Sequence, residues 1–320
     1  MRLGRRFVRG GALVAFVALV ALLALPALLH RQEGEVDDDL AAPRVLSLGS
    51  VSGTPKEEVE RFQPFADELA RRLAGSGVAG IRIVVAASID EMSDLLKRRE
   101  VDAYFDSPFP VARACAASGA HVVLRQWKGG VPEYRSALFA RADAGIVQIE
   151  DLRGRIVVFE SPYSTSAYFL AKAALSEAGL DPFLCTDPAA PIPHGRVGYL
   201  FAGSEETAVF WALRGRVAAV AIDPEVVGKY ARAEASKLRS FWRSPIVPRS
   251  VVAFRARLER RLAGSLEGAL LGLTGDSEGK VALEKLDGTA RFDRFPRGAE
   301  IDLAPILSMK NALEREDAGR

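Results

Sequence analysis

The chain predicts an α/β protein built from parallel βαβ units, on three observations. From residue 44 onward, short apolar runs bounded by turn residues alternate with segments of helical apolar spacing. The loops that follow two of these runs, Ser50-Val51-Ser52-Gly53-Thr54 and Asp106-Ser107-Pro108-Phe109-Pro110, are rich in small and polar residues. Open parallel sheets place their ligands at such strand ends. Finally, the 320 residues, 49% hydrophobic and 26% charged, suffice for two compact lobes or one large domain.

The elements follow in order. Residues 44–49 read as a strand. Pro55 suits a helix start with Thr54 as its cap, and Val59, Phe62, Phe65, Ala66, Leu69 and Leu73 keep helical spacing until Gly75. Residues 81–86 are the next strand, and Ser88 caps a helix through Met92, Leu95 and Leu96. Further strands fall at 101–105 and 121–126, with a helix over 111–117 between them. A long strand over 134–141 is placed to carry the chain out of the first lobe. The second lobe continues with strands at 156–159, 198–201 and 216–222 and a helix over 205–213 capped by Ser204. Runs at 238–242 and 250–254 are candidates to return the chain to the first lobe, and helices near 258–273, 277–286 and 303–313 close it. The expected division is a first lobe over 44–138, a second over 139–245, and a return with C-terminal helices over 246–320.

The N-terminus has its own logic. Arg2, Arg5, Arg6 and Arg9 precede an uncharged apolar run from Gly10 to Leu29. A positive start before an apolar run is the pattern of an export segment, either a cleaved signal peptide or an uncleaved signal anchor over residues 1–30. In both cases the basic flank puts the body of the protein outside the cytoplasm. Residues 31–43, with Glu33, Glu35 and Asp37-Asp38-Asp39, read as a solvated linker. A net charge of +2 with 43 scattered Lys and Arg gives no nucleic-acid footprint. Cys115 and Cys185 fall in different expected lobes and read as free thiols, and His30, His121 and His194 form no metal-ligand spacing. No metal or cofactor is expected.

The densest signal is Ser164-Thr165-Ser166, three hydroxyls at the start of the helix that follows the strand 156–159. One of them satisfies a cap. The other two sit beside free first-turn amides at the positive end of the helix dipole, where an anion binds readily. An ordinary capped helix with polar neighbours has the same residues.

Four segments in order carry a resemblance: 101–114 (VDAYFDSPFPVARA), 151–175 (DLRGRIVVFESPYSTSAYFLAKAAL), 201–223 (FAGSEETAVFWALRGRVAAVAID) and 286–298 (LDGTARFDRFPRG). They resemble the phosphonate/phosphite/phosphate-type substrate-binding proteins of ABC importers. That resemblance implies a two-lobed periplasmic binding fold, type II-like, with crossover hinge strands, closing on a small phosphorus oxyanion and delivering it to a membrane permease. It also implies that Ser164, Thr165 and Ser166 hold the phosphoryl oxygens. The candidate binding set is these three with Tyr163, Ser107, Ser50, Glu205 and Asp223.

Two positions depart from the family pattern. Glu205 stands where phosphonate binders usually carry a histidine, and Val111 (or Phe109) where many carry a tyrosine. A carboxylate near a dianion is repulsive by about a kilocalorie per mole or more. Glu205 therefore points away, shares a proton with the ligand, or meets a ligand ammonium; a glutamate favoured only by the helix dipole is the remaining alternative. Two other functions use the same residues. The fold could serve as a membrane-anchored sensory or scaffold module. An enzyme could use Ser164 as nucleophile with Glu205 or Asp223 as acid or base, but no Gly-x-Ser-x-Gly elbow occurs and His194 alone is available as a second-lobe histidine base.

Overall fold

The computed structural model describes residues 44–187 and 191–318. The expected export segment, the linker and the centre of the Pro-rich loop lie outside them.

The first lobe opens with β1 (Arg44–Val51), α1 (Pro55–Leu73), β2 (Val78–Ala86), α2 (Ile89–Lys97), β3 (Ala103–Asp106), α3 (Pro108–Ser118) and β4 (His121–Gln126). On α1 the predicted stripe is buried at Phe62, Phe65, Ala66, Leu69 and Leu73, while its first member, Val59, is exposed, and Phe62 and Phe65 meet Phe105 of β3 edge-on at 6.0 and 5.7 Å. Thr54 makes no side-chain cap; instead its own N–H donates to Ser52 Oγ at 3.1 Å. Ser88 caps α2 as expected, accepting from the Glu91 N–H. Helix α3 starts at Pro108, three residues earlier than the spacing predicted. Pro108 and Pro110 both fit there because first-turn N–H groups have no intrahelical partner.

The middle of the chain supplies β5 (Glu133–Tyr134), β6 (Ala137–Arg141), β7 (Ile156–Phe159), α4 (Leu170–Glu177), β8 (Pro182–Leu184), β9 (Val197–Phe201), α5 (Glu205–Leu213), β10 (Ala219–Ile222), α6 (Pro224–Ala231) and β11 (Leu238–Arg243). The return comprises β12 (Val247–Pro248), β13 (Ser250–Phe254), α7 (Arg260–Leu271), α8 (Ser277–Lys285), β14 (Phe292–Asp293), α9 (Ala299–Asp302) and α10 (Ala304–Ala318).

Four sequence expectations change here. The strand over 134–141 is two pieces, because the buried Ser136 leaves the ladder and gives its N–H to Ser244 Oγ at 2.9 Å. Among the described residues β5 then pairs only with β12. The 238–242 run does not return the chain; it is β11, antiparallel to β6 inside the second sheet. The strand expected from Arg216 begins at Ala219, since Gly215 and Arg216 fold back onto the end of α5, donating to the carbonyls of Ala212 and Trp211. Finally, β8 and α6 were not read from the sequence at all.

Two six-stranded sheets result, ordered β14-β4-β13-β3-β1-β2 and β11-β6-β10-β7-β9-β8. β1 runs parallel to β2 and β3, and β7 parallel to β9 and β10. Each sheet also takes one antiparallel strand from a crossing of the chain, β13 in the first and β6 in the second. Central β10 is buried throughout, as a strand covered on both faces must be. The lobes meet behind the cleft through an apolar cluster. Phe109 of α3 stacks on Phe169 at 4.0 Å and 10°, and Leu303, Ile306 and Met309 from the C-terminal segment pack into the same cluster.

Candidate functional site: a polar cleft between the lobes

The loops after β1, β3, β4 and β7 converge on one cleft of about 460 Å³. Its position follows from the topology, because parallel strands deliver their carboxyl ends to the same edge.

The second-lobe wall is built on the Ser164 turn. Ser164 Oγ accepts from the Ala167 N–H at 3.1 Å, which uses one hydroxyl as the cap. The first turn is a wide π-type turn over Thr165–Phe169, in which the Phe169 N–H reaches Ser164 O at 3.0 Å. Ser161, Tyr163, Ser164 and Ser166 line the cleft. Thr165 does not. It is 1% exposed, accepts from the Phe109 N–H at 3.0 Å and donates to Ser107 Oγ at 2.9 Å. Its hydroxyl thus joins the two lobes. Tyr134, at the crossing, is hydrogen-bonded to the side chains of Thr165 and Ser166, and burial pushes its phenol above the usual range.

On the first-lobe wall, Ser50 donates to Glu58. Ser107 receives its place as the residue before α3 and gives its N–H to Asp106 Oδ1 at 2.6 Å. Gly53 comes so close to the opposite lobe that a Cβ there would lie 3.1 Å from the Tyr163 hydroxyl.

The charges decide what fits. Arg61, Lys128, Lys229 and Arg249 line the cleft, and so do Glu58, Asp106, Glu160, Glu205 and Asp287. Arg61 pairs with Glu58 and Asp287, Lys128 lies 3.1 Å from Asp287, and Arg249 pairs with Asp223. Asp223 itself is buried behind Arg249, capping α6 through the Glu225 N–H at 3.1 Å, and is not among the lining residues. Arg249 also lies over the Tyr134 ring at 4.6 Å.

Desolvation raises the Glu205 carboxyl to about 7, and the neighbouring Glu160 adds to the rise. Burial raises Glu160 as well, against a hydrogen bond from Ser164 and the charge of Lys128. Asp106 is raised to about 6 by burial, although the Ser107 N–H and the Tyr104 hydroxyl both favour its charged form. Lys128 falls to about 8, through desolvation and then the charge of Arg61. A hydroxyl-rich wall and two glutamates whose carboxyls are both raised by burial therefore share one cavity.

A family model for the phosphonate periplasmic substrate-binding proteins of ABC transporters matches residues 50–296. The chain belongs to this family. The family's place is the extracytoplasmic side, where its members bind a solute for an importer, and it is not a class of enzymes.

Solved structures agree in fold. XAC2383 from Xanthomonas citri, bound to chloride ion, matches with a TM-score of 0.78 at 22% identity, over 84% of this chain and 99% of that one. The same protein bound to ATP gives 0.77 at 22%, over 83% and 98%. PhnD1 from Prochlorococcus marinus, in complex with methylphosphonate, gives 0.63 at 18%, over 85% and 99%.

Of the sequence-predicted set, Ser50, Ser107, Tyr163, Ser164, Ser166 and Glu205 line the cleft, whereas Thr165 and Asp223 stand one layer behind. Sequence reasoning missed Arg61, Lys128, Tyr134, Glu160, Lys229, Arg249, Ser250 and Asp287. Glu160 was within reach, as the last residue before the turn that carries Ser164. The others come from distant segments that only the tertiary fold assembles.

Proposed function

We propose that the cleft binds a zwitterionic phosphonate, a phosphoryl group joined by a short linker to an ammonium. The observation that carries this is the pair Glu160 and Glu205, lining the same cavity as Ser164 and Ser166. The hydroxyls, the first-turn amides and Arg249 suit phosphoryl oxygens. The glutamates suit a cation: the charge of Glu160 helps to hold the Glu205 carboxyl up, and an ammonium between them would remove that repulsion.

A plain dianion would find three of the four lining cations already shared with a carboxylate. Arg61, Lys128 and Arg249 each have a carboxylate partner. A polyanion such as the ATP of the Xanthomonas citri protein would meet the same acids with more charge. The ligand would then pass to a membrane permease, with no covalent step at Ser164, whose hydroxyl is engaged as a helix cap.

Calorimetry on protein freed of co-purified solute tests the assignment. With 2-aminoethylphosphonate, methylphosphonate and phosphate as titrants, the aminoalkyl ligand should bind at least about tenfold tighter than the other two, the worth of one charge-assisted hydrogen bond. Equal affinities would refute it.

A further inference from the structure

Asp287 reaches the cleft on the turn Leu286-Asp287-Gly288-Thr289, far in sequence from every other lining residue. Asp287 and Gly288 both adopt left-handed backbone, with φ of 55° and 57°, a conformation that Asp tolerates and Gly adopts freely. The turn is fixed to the loop after β4. The Gly129 N–H donates to Asp287 O at 3.0 Å, and Gln126 Nε2 donates to Thr289 Oγ1 at 2.8 Å. The turn that carries the Asp287 carboxylate is therefore held against the Lys128 loop by one backbone and one side-chain hydrogen bond.

One oxygen serves two cations. Asp287 Oδ2 contacts Arg61 Nη1 and lies 3.1 Å from Lys128 Nζ. Arg61 in turn holds Glu58, which accepts from Ser50. The first-lobe wall is thus a chain of alternating charges in which neither cation is available alone to a phosphoryl group.

We propose that Asp287 sets the charge selectivity of the cleft: it neutralises Arg61 and Lys128, so that a ligand bringing its own cation is favoured over a plain dianion. This rests on the zwitterionic ligand proposed above. Removing one negative charge at a fixed distance changes affinity in proportion to the ligand's net charge. A dianion gains twice what a ligand with one net negative charge gains.

The test compares wild type, Asp287→Asn and Lys128→Gln by calorimetry at pH 8, with methylphosphonate, phosphate and 2-aminoethylphosphonate. Asparagine keeps the size and the left-handed tolerance, so the turn is preserved. In Asp287→Asn the dianions should gain about tenfold and the aminoalkyl ligand about threefold, moving the ratio about threefold toward the dianions. In Lys128→Gln the ratio should move the opposite way, and raised salt should shrink both shifts. A purely structural role for Asp287 would weaken all three ligands by a common factor. An unchanged ratio across the three proteins, or a common loss, overturns the proposal. Failure of wild type to bind any of the three instead overturns the zwitterionic ligand on which it rests.

Discussion

Glu205→Gln separates the two ligand charges most sharply. Its carboxyl titrates at about 7 because burial and Glu160 both oppose its charge. At pH 8 it is mostly ionised, and at pH 6 mostly neutral. An amine with a pKa near that of lysine stays protonated at both. For 2-aminoethylphosphonate, ionised Glu205 should contribute about 1.5–3 kcal/mol as a charge-assisted hydrogen bond, which is about 10- to 100-fold in affinity. Glutamine keeps the shape and loses the charge. The loss should therefore be near its full size at pH 8 and small at pH 6. Methylphosphonate should respond in the opposite sense, gaining about 1–3 kcal/mol at pH 8 once the carboxylate no longer repels it. Titration calorimetry of both proteins at both pH values provides the four comparisons. If the two ligands shift in the same direction at pH 8, Glu205 does not face a ligand cation and the charge argument fails.

Other outcomes follow from the same contacts. Ser164→Ala and Ser166→Ala should each weaken ligand binding by about 1–3 kcal/mol, with Ser164→Ala also lowering the melting temperature through loss of the cap. Thr165→Val should lower affinity through the lobes rather than the ligand, since it removes the Ser107 contact and strands the Phe109 N–H; small-angle scattering should then show a more open liganded state. Asp102→Ala should cost about 3–5 kcal/mol in denaturant unfolding, because Arg255, 5% exposed, loses the carboxylate 2.8 Å from its Nε. A loss under about 1 kcal/mol would contradict that assignment. The ligand-free protein should also lose stability as pH rises toward 7. The folded Glu205 keeps its proton between the ordinary 4.5 and about 7, so its contribution is present below 4.5 and gone above about 7. Glu205→Gln should flatten that part of the melting profile.

What the sequence could show depended on how local the cause was. The starts of α2 and α5 are set by Ser88 and Ser204 and were legible, as was the buried stripe of α1. The start of α6 was legible in kind, since Asp223-Pro224 is a cap followed by a first-position proline; taken as a strand end, it concealed the helix. The 134–141 strand misled because its apolar pattern is continuous, while its break depends on Ser244, more than a hundred residues away. The site divides in the same way. The hydroxyl wall lies in one short stretch. The cations and Asp287 come from α1, the loop after β4, α6, the residue before β13 and a late turn, and no spacing rule connects them. Thr165 and Ser164 are adjacent in sequence but do different work, one joining the lobes and one facing the cleft. That distinction needs the side-chain direction and burial that only the fold supplies.

The most direct test of the central claim is a crystal structure of the protein with 2-aminoethylphosphonate in the cleft. The ammonium nitrogen should lie within about 3 Å of a carboxylate oxygen of Glu205 or Glu160. The phosphonate oxygens should meet the hydroxyls of Ser164 and Ser166 and the Arg249 guanidinium. A phosphonate facing Glu205, or an amine directed to solvent, would contradict the account.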